Sequence, residues 1–277
     1  MPEKLPSATD QHAAAVAAAA CAATVRSTVR LHGGQSGDAV WKVTLADGAS
    51  VVVRQFREAP PSRRDWLQAL AEAGRVRIAV PGSDAPAGWQ VEPFLAGTAL
   101  GELPPDEQQR ALPGVVDAIR RSLEVVPPTT GPSPTVRDRL AFCDRLLRTG
   151  DTLDPALPTV RSLLADLRDE VWPLRPVWKD LWSAHVLIDA AREPSIGLID
   201  PGVPTVDHIA VDLARLLGSL PWFDRGELTL GLSDREQHLA DVLESSGLVL
   251  SRLRWQQRPD SLLKRDRLAQ INARLGR

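Results

Sequence analysis

Asp180, His185 and Asp200 stand at the ends of three short extended runs, residues 177–179, 186–189 and 196–199, where side chains from separate strands can converge. Carboxylates gathered in this way can hold a divalent cation through oxygen and orient an attacking hydroxyl, which are the two needs of phosphoryl transfer. Asp200 is followed by Pro201, Gly202 and Asp207, and Asp212 lies inside the next apolar-periodic segment. A second feature with chemical potential is Gly33-Gly34-Gln35-Ser36-Gly37, between strand-like segments at 25–29 and 40–45. A strand after the glycines, where a Walker-type loop or a dinucleotide fold would have a helix, argues against both.

The elements that must position these groups fall into two textures. The first part reads as an alanine-rich helix over 13–23 with Thr9 and Asp10 at its start, then strands at 25–29, 40–45 and 50–56. A short helix over 65–73 and an extended segment at 89–94 follow. Beyond Gly97 the periodicity becomes helical, with stripes through 115–123, 135–147 and 160–171, a hairpin built from 186–189 and 196–199, and helices at 208–217, 233–246 and 261–275. Thr135 is expected to cap its helix, Ser233 with Glu236 has capping-box spacing, and Gly247 suits the residue past a helix end.

Composition narrows the function classes. Thirty-three Lys and Arg against 35 Asp and Glu leave a formal charge of −2, so bulk charge does not attract nucleic acid or an anionic membrane. Arg252-Leu253-Arg254-Trp255 accordingly reads as a solvated helix face. Cys21 and Cys143 are too few for a disulfide framework or a thiolate metal site, and the cytoplasm is the expected compartment. The alanine run is shorter than the ~20 apolar residues of a membrane span and reads as a soluble helix rather than a signal peptide. His12, His32 and His238 have no companion ligands at useful spacing.

The ordered set of the glycine run, Val51-Val52-Val53-Arg54, Val91-Glu92-Pro93-Phe94, Asp180-Leu181-Trp182-Ser183-Ala184-His185, Ile199-Asp200-Pro201-Gly202 and Asp212-Leu213-Ala214 resembles the aminoglycoside phosphotransferase and choline kinase family over residues 26–217. The resemblance implies an α+β, bilobal protein-kinase-like fold: a small antiparallel-sheet nucleotide-binding lobe over 1–95 and a larger helical lobe over 96–277 carrying the catalytic hairpin and the acceptor site. It implies ATP or GTP as donor, Mg2+ or Mn2+ as metal, and a small-molecule hydroxyl as acceptor. Asp180 takes the place of the catalytic aspartate, Asp200 that of the metal-binding aspartate, and Asp212 that of a bracing aspartate. Gly33, Gly34 and Ser36 would meet the phosphates, as would Arg54 in the place of the usual lysine, with a charge fixed at working pH. Its acidic partner on the following helix, Asp65 or Glu72, stays unassigned. The Glu92 carbonyl and the Phe94 amide would grip adenine. Asp207, Asp224 and Glu227 are candidates to hold a cationic acceptor such as an amino sugar or a choline-like amine.

Two positions depart from that pattern. His185 stands where asparagine is usual as second metal ligand, and imidazole is a softer donor than magnesium prefers. Trp178 replaces a scaffold histidine two residues before Asp180. The competing expectation is therefore a catalytically silent nucleotide-binding protein of the same fold.

Overall fold

The computed structural model describes residues 7–31, 39–56, 64–82, 85–150, 154–200, 205–220 and 232–275. The chain divides into two compact units, Met1–Glu72 with Arg77–Ala96, and Ala73–Val76 with Gly97–Arg277.

In the first unit, α1 (Ala8–Cys21) packs on an antiparallel sheet in the order β1 (Val25–Leu31), β2 (Ala39–Leu45), β3 (Ser50–Gln55), β5 (Trp89–Pro93), while α2 (Arg64–Gly74) and β4 (Arg77–Ile78) lie between β3 and β5 in sequence. Alternation along β2 turns Trp41, Val43 and Leu45 inward, where they meet Val53, Val91 and the small face Ala13, Val16 and Ala17 of α1. The helix begins earlier than the alanine run suggests. Ser7 is its N-cap, and Asp10 completes a capping box by accepting the Ser7 amide at 2.9 Å. Asp10 also accepts the Trp41 indole N–H at 2.8 Å, tying the helix start to the sheet, and these donors hold its carboxyl below the usual range. Leu31 pairs with Val40, so the strands that flank Gly33, Gly34 and Ser36 in sequence form one ladder; those three residues lie outside the described set.

The second unit is mainly helical: α3 (Pro105–Leu123), α4 (Pro134–Thr149), α5 (Leu157–Leu167), α6 (Ala210–Gly218), α7 (Asp234–Gln256) and α8 (Leu262–Leu275). α7 packs on α5, α6 and α8, around a core that includes Leu140, Cys143, Leu164, Trp172, Val211, Leu239 and Leu243. Helix α4 is capped by Ser133, whose hydroxyl accepts the Val136 amide, two residues before the expected Thr135. The capping box of Ser233 and Glu236 forms as the spacing predicts. Gly247 does not end α7: the helix runs nine residues past it to Gln256, and a Cβ there would lie 3.4 Å from the Arg139 guanidinium.

Two small sheets complete this unit. The expected hairpin is present as β9 (Val186–Ile188) paired with β10 (Ile196–Leu198), and β6 (Thr98–Ala99) adds to the β9 edge. The helix expected to reach residue 171 ends at Leu167, and the other sheet, β7 (Thr129–Gly131), β8 (Trp172–Val177) and β11 (Thr205–Asp207), places a strand over 172–177 where one was expected at 177–179. β7 pairs with residues 172–174 and β11 with 175–177, so each half of β8 has one neighbour. Pro173 and Pro176 are tolerated in such edge positions.

Candidate active site

Asp180 follows the end of β8, and its position is fixed from a helix 32 residues on. The fully buried Asp212 of α6 accepts the backbone N–H of Trp178 at 2.9 Å and of Lys179 at 2.8 Å. Lys179 is left-handed, φ +62°, a conformation costing a non-glycine residue roughly 1 kcal/mol or more, and its bonded amide helps to hold it there. Burial pushes the Asp212 carboxyl up to about 7 against these two donors, with Asp207 and Asp180 adding to the rise. Arg215 lies three residues further on, hence on the same face of α6. Its guanidinium donates to Asp180 Oδ1 at 3.2 Å and lies 3.6 Å over the Trp182 ring, whose N–H donates to the same oxygen at 2.5 Å. Oδ1 is thus anchored twice, and among the described residues no group is bonded to Oδ2 of this half-exposed carboxylate.

His185 closes a 3-10 turn, Ser183–His185, whose start is fastened to the end of α6 by the Ser183 amide donating to Ser219 Oγ at 2.8 Å. Its Nδ1 lies 2.9 Å from the Asp180 carbonyl. A carbonyl can only accept, so Nδ1 carries the proton and neutral His185 has its lone pair on Nε2. Nε2 lies 3.9 Å from Asp200 Oδ2, too far for a hydrogen bond. A cation bound to both at ~2.1 Å would span a separation of this size, and a backbone carbonyl behind the distal nitrogen is the usual brace of a metal-ligating histidine. The donor pair, one imidazole and one carboxylate, therefore fits a divalent ion. Asp200 itself is left-handed, φ +52°, which aspartate tolerates better than most residues. Among the described residues no group of three or more His, Cys, Asp or Glu converges as a metal cluster.

In the first unit Arg54 on β3 donates from Nε to Glu92 Oε1 on β5 at 3.1 Å, with both side chains largely shielded. The acidic partner thus comes from the strand next door, and Glu92 also accepts the Gln90 amide at 2.6 Å. The expected adenine grip is not available as described: the Phe94 amide donates to the Ser50 carbonyl at 3.0 Å. Glu92 sits opposite Val52, two residues along the same ladder, so its carbonyl has the same parity and is turned to β3 as well. The Phe94 ring instead receives the Lys42 ammonium, 3.9 Å from its centroid.

Asp207 does not serve an acceptor. It is fully buried and accepts the Ser133 hydroxyl at 2.6 Å, the Thr135 amide at 2.8 Å and the His208 amide at 2.8 Å, which makes it the fastening of α4. Asp224 and Glu227 lie outside the described residues. Arg252 is no solvated cation, since it makes a two-pronged pair with buried Asp154. Arg215, absent from the sequence-based candidates, is the main addition to the site. Its signal was the three-residue step from Asp212, which places both side chains on one helical face.

The model of the phosphotransferase enzyme family matches residues 27–244. A search by sequence against curated proteins finds no significant match. Among solved structures, a macrolide 2'-phosphotransferase type I is 19% identical with TM-score 0.65, covering 98% of each chain. A choline/ethanolamine kinase family protein from Mesorhizobium loti is 18% identical with TM-score 0.66, covering 97% of this chain and 93% of that one. An amicoumacin kinase in complex with AMP-PNP and Ca2+ is 12% identical with TM-score 0.60, covering 89% and 87%. Among the described residues no helix is long and apolar enough to cross a membrane. The fold is the α+β, bilobal protein-kinase-like one of these enzymes, and the chain belongs to the phosphotransferase enzyme family, whose members are small-molecule kinases.

Proposed function

We propose that the protein transfers the γ-phosphoryl group of ATP to a hydroxyl of a small molecule, with Asp180 as catalytic residue. The observation that carries this reading is the state of Asp180: Oδ1 is anchored by Arg215 and Trp182, while Oδ2 has no partner among the described residues. Oδ2 would accept the hydroxyl hydrogen of the acceptor, aim its oxygen at the γ-phosphorus and take the proton as the new O–P bond forms and the bond to ADP breaks. His185 Nε2 and Asp200 would hold a divalent cation, which when bound neutralises phosphate charge. An imidazole in the donor set favours Mn2+ over Mg2+. Arg54, oriented by Glu92, and Gly33, Gly34 and Ser36 are assigned to the nucleotide phosphates. The AMP-PNP and Ca2+ of the amicoumacin kinase complex support a nucleoside triphosphate with a divalent metal.

The test is nucleotide consumption with ATP and with GTP, in Mg2+ and in Mn2+, over a panel of small alcohols. Asp180→Asn is expected to lower turnover by ~100-fold or more while nucleotide affinity is kept. Equal turnover in that variant would remove Asp180 from the chemistry.

A further inference from the structure

A pocket of about 200 Å³ opens beside the catalytic loop, lined by Thr135, Asp138 and Arg139 of α4, Lys179, and Val211 and Arg215 of α6. Three of the six lining residues are cations and one is a carboxylate, the exposed Asp138. Arg215 is satisfied by Asp180. The other two make no ion pair: Arg139 Nη1 donates to Ser246 Oγ at 2.7 Å and to the Leu243 carbonyl, both uncharged, and among the described residues no carboxylate pairs with Arg139 or with the Lys179 ammonium. The buried Asp207 carboxylate favours the Arg139 charge from a distance but makes no ion pair with it, its oxygens being bonded to Ser133, Thr135 and His208. Burial, with Arg215 nearby, pushes the Arg139 guanidinium down to about 10, so an incoming anion would relieve a cost already present. The pocket also adjoins the chemistry, because Lys179 precedes Asp180 and Arg215 touches it.

We propose that this pocket receives an anionic group of the acceptor, a carboxylate or a phosphate ester, so that the enzyme phosphorylates small hydroxylated acids in preference to amino sugars or choline-like amines. Arg139 and Lys179 bind the anion, and a hydroxyl a few bonds away reaches Asp180 Oδ2. The inference rests on the phosphoryl-transfer reading of Asp180, and it reverses the cationic acceptor that the acidic residues of the sequence had suggested.

D-gluconate, D-glucose 6-phosphate, D-glucose and D-glucosamine share a six-carbon skeleton and differ in charge. With the full chain, ATP and Mn2+, transfer followed by phosphorus NMR is expected at a kcat/KM at least ~50-fold higher for one of the anions than for glucosamine. Which anion wins separates carboxylate from phosphate ester. Lys179→Gln, at an exposed side chain, is expected to raise KM for that anion ~10-fold with KM for ATP unchanged. Preference for glucose or glucosamine overturns the proposal. Where no compound is phosphorylated, titration calorimetry with the two anions decides. Saturable heat lost in Lys179→Gln and in Arg139→Gln supports the anion pocket and leaves the transfer reading alone to fail, whereas no saturable heat for either anion overturns the pocket itself.

Discussion

Arg215 holds Asp180 from the side: its guanidinium donates to Oδ1 at 3.2 Å while lying 3.6 Å above the Trp182 ring. The pair engages Oδ1 and leaves Oδ2 without a partner among the described residues. Burial also pushes the Arg215 guanidinium down, opposed by Asp180, so removing either partner leaves the other poorly compensated. Arg215→Ala is therefore expected to lower kcat by ~10- to 100-fold with the nucleotide KM little changed. Steady-state kinetics checks this, and Arg215→Lys should recover only part of the loss because lysine lacks the planar fork and the stacking surface.

Asp212 supplies two oxygens to two amides, at 2.9 and 2.8 Å. Asp212→Asn keeps one acceptor and turns an NH2 group toward the other amide, leaving a buried donor unmet. The expected cost is ~2–4 kcal/mol in urea unfolding, with kcat reduced as the turn before Asp180 loosens. Unchanged stability would mean that the two amides do not need this carboxylate.

His185→Asn replaces an imidazole donor with a hard amide oxygen near Asp200. The ratio of activity in Mn2+ to that in Mg2+ is expected to fall by ~10-fold or more, read from parallel metal titrations. No change in the ratio would take His185 out of the metal site.

His208 is buried, its Nδ1 accepting the Ala210 amide at 3.1 Å and its Nε2 donating to Glu236 at 3.1 Å. Burial lowers its folded pKa below 6.5, despite Glu236, so the unfolded chain binds the proton more readily. Its contribution to stability is complete above pH ~6.5 and is lost as pH falls from there through the folded value. His208→Asn, which retains an acceptor for Ala210, should flatten this acid-side slope in denaturant midpoints measured between pH ~7 and ~5.

Glu92 sets the direction of Arg54 at 3.1 Å. Glu92→Gln is expected to raise the nucleotide KM by ~5- to 20-fold, with a smaller change for the acceptor, in initial-rate measurements. An unaltered nucleotide KM would detach this ion pair from the donor site.

Much of the fold was legible because its signals are local. The strand-like run at 40–45 marked β2, and Ser233 with Glu236 marked the start of α7. The misreadings came from distant partners. β8 contains Pro173 and Pro176 and exists because β7 and β11, each three residues long, flank different halves of it. Gly247 looked like a terminator, but it lies mid-helix, nine residues before the end of α7. The positions of Asp180, His185 and Asp200 followed from a motif order. The engagement of the Phe94 amide with Ser50 and the saturation of Asp207 by three donors depend on tertiary neighbours that spacing does not encode.

Because Asp212 and Arg215 project from one side of α6, that helix behaves as a rod to which the turn at 178–180 is pinned at three points: the Trp178 amide, the Lys179 amide and the Asp180 carboxylate. A rigid shift of the rod must drag Asp180 with it, since the two cannot slide independently without breaking these contacts. Substitutions along its other side, against α7, can thus displace Asp180 mechanically without touching it.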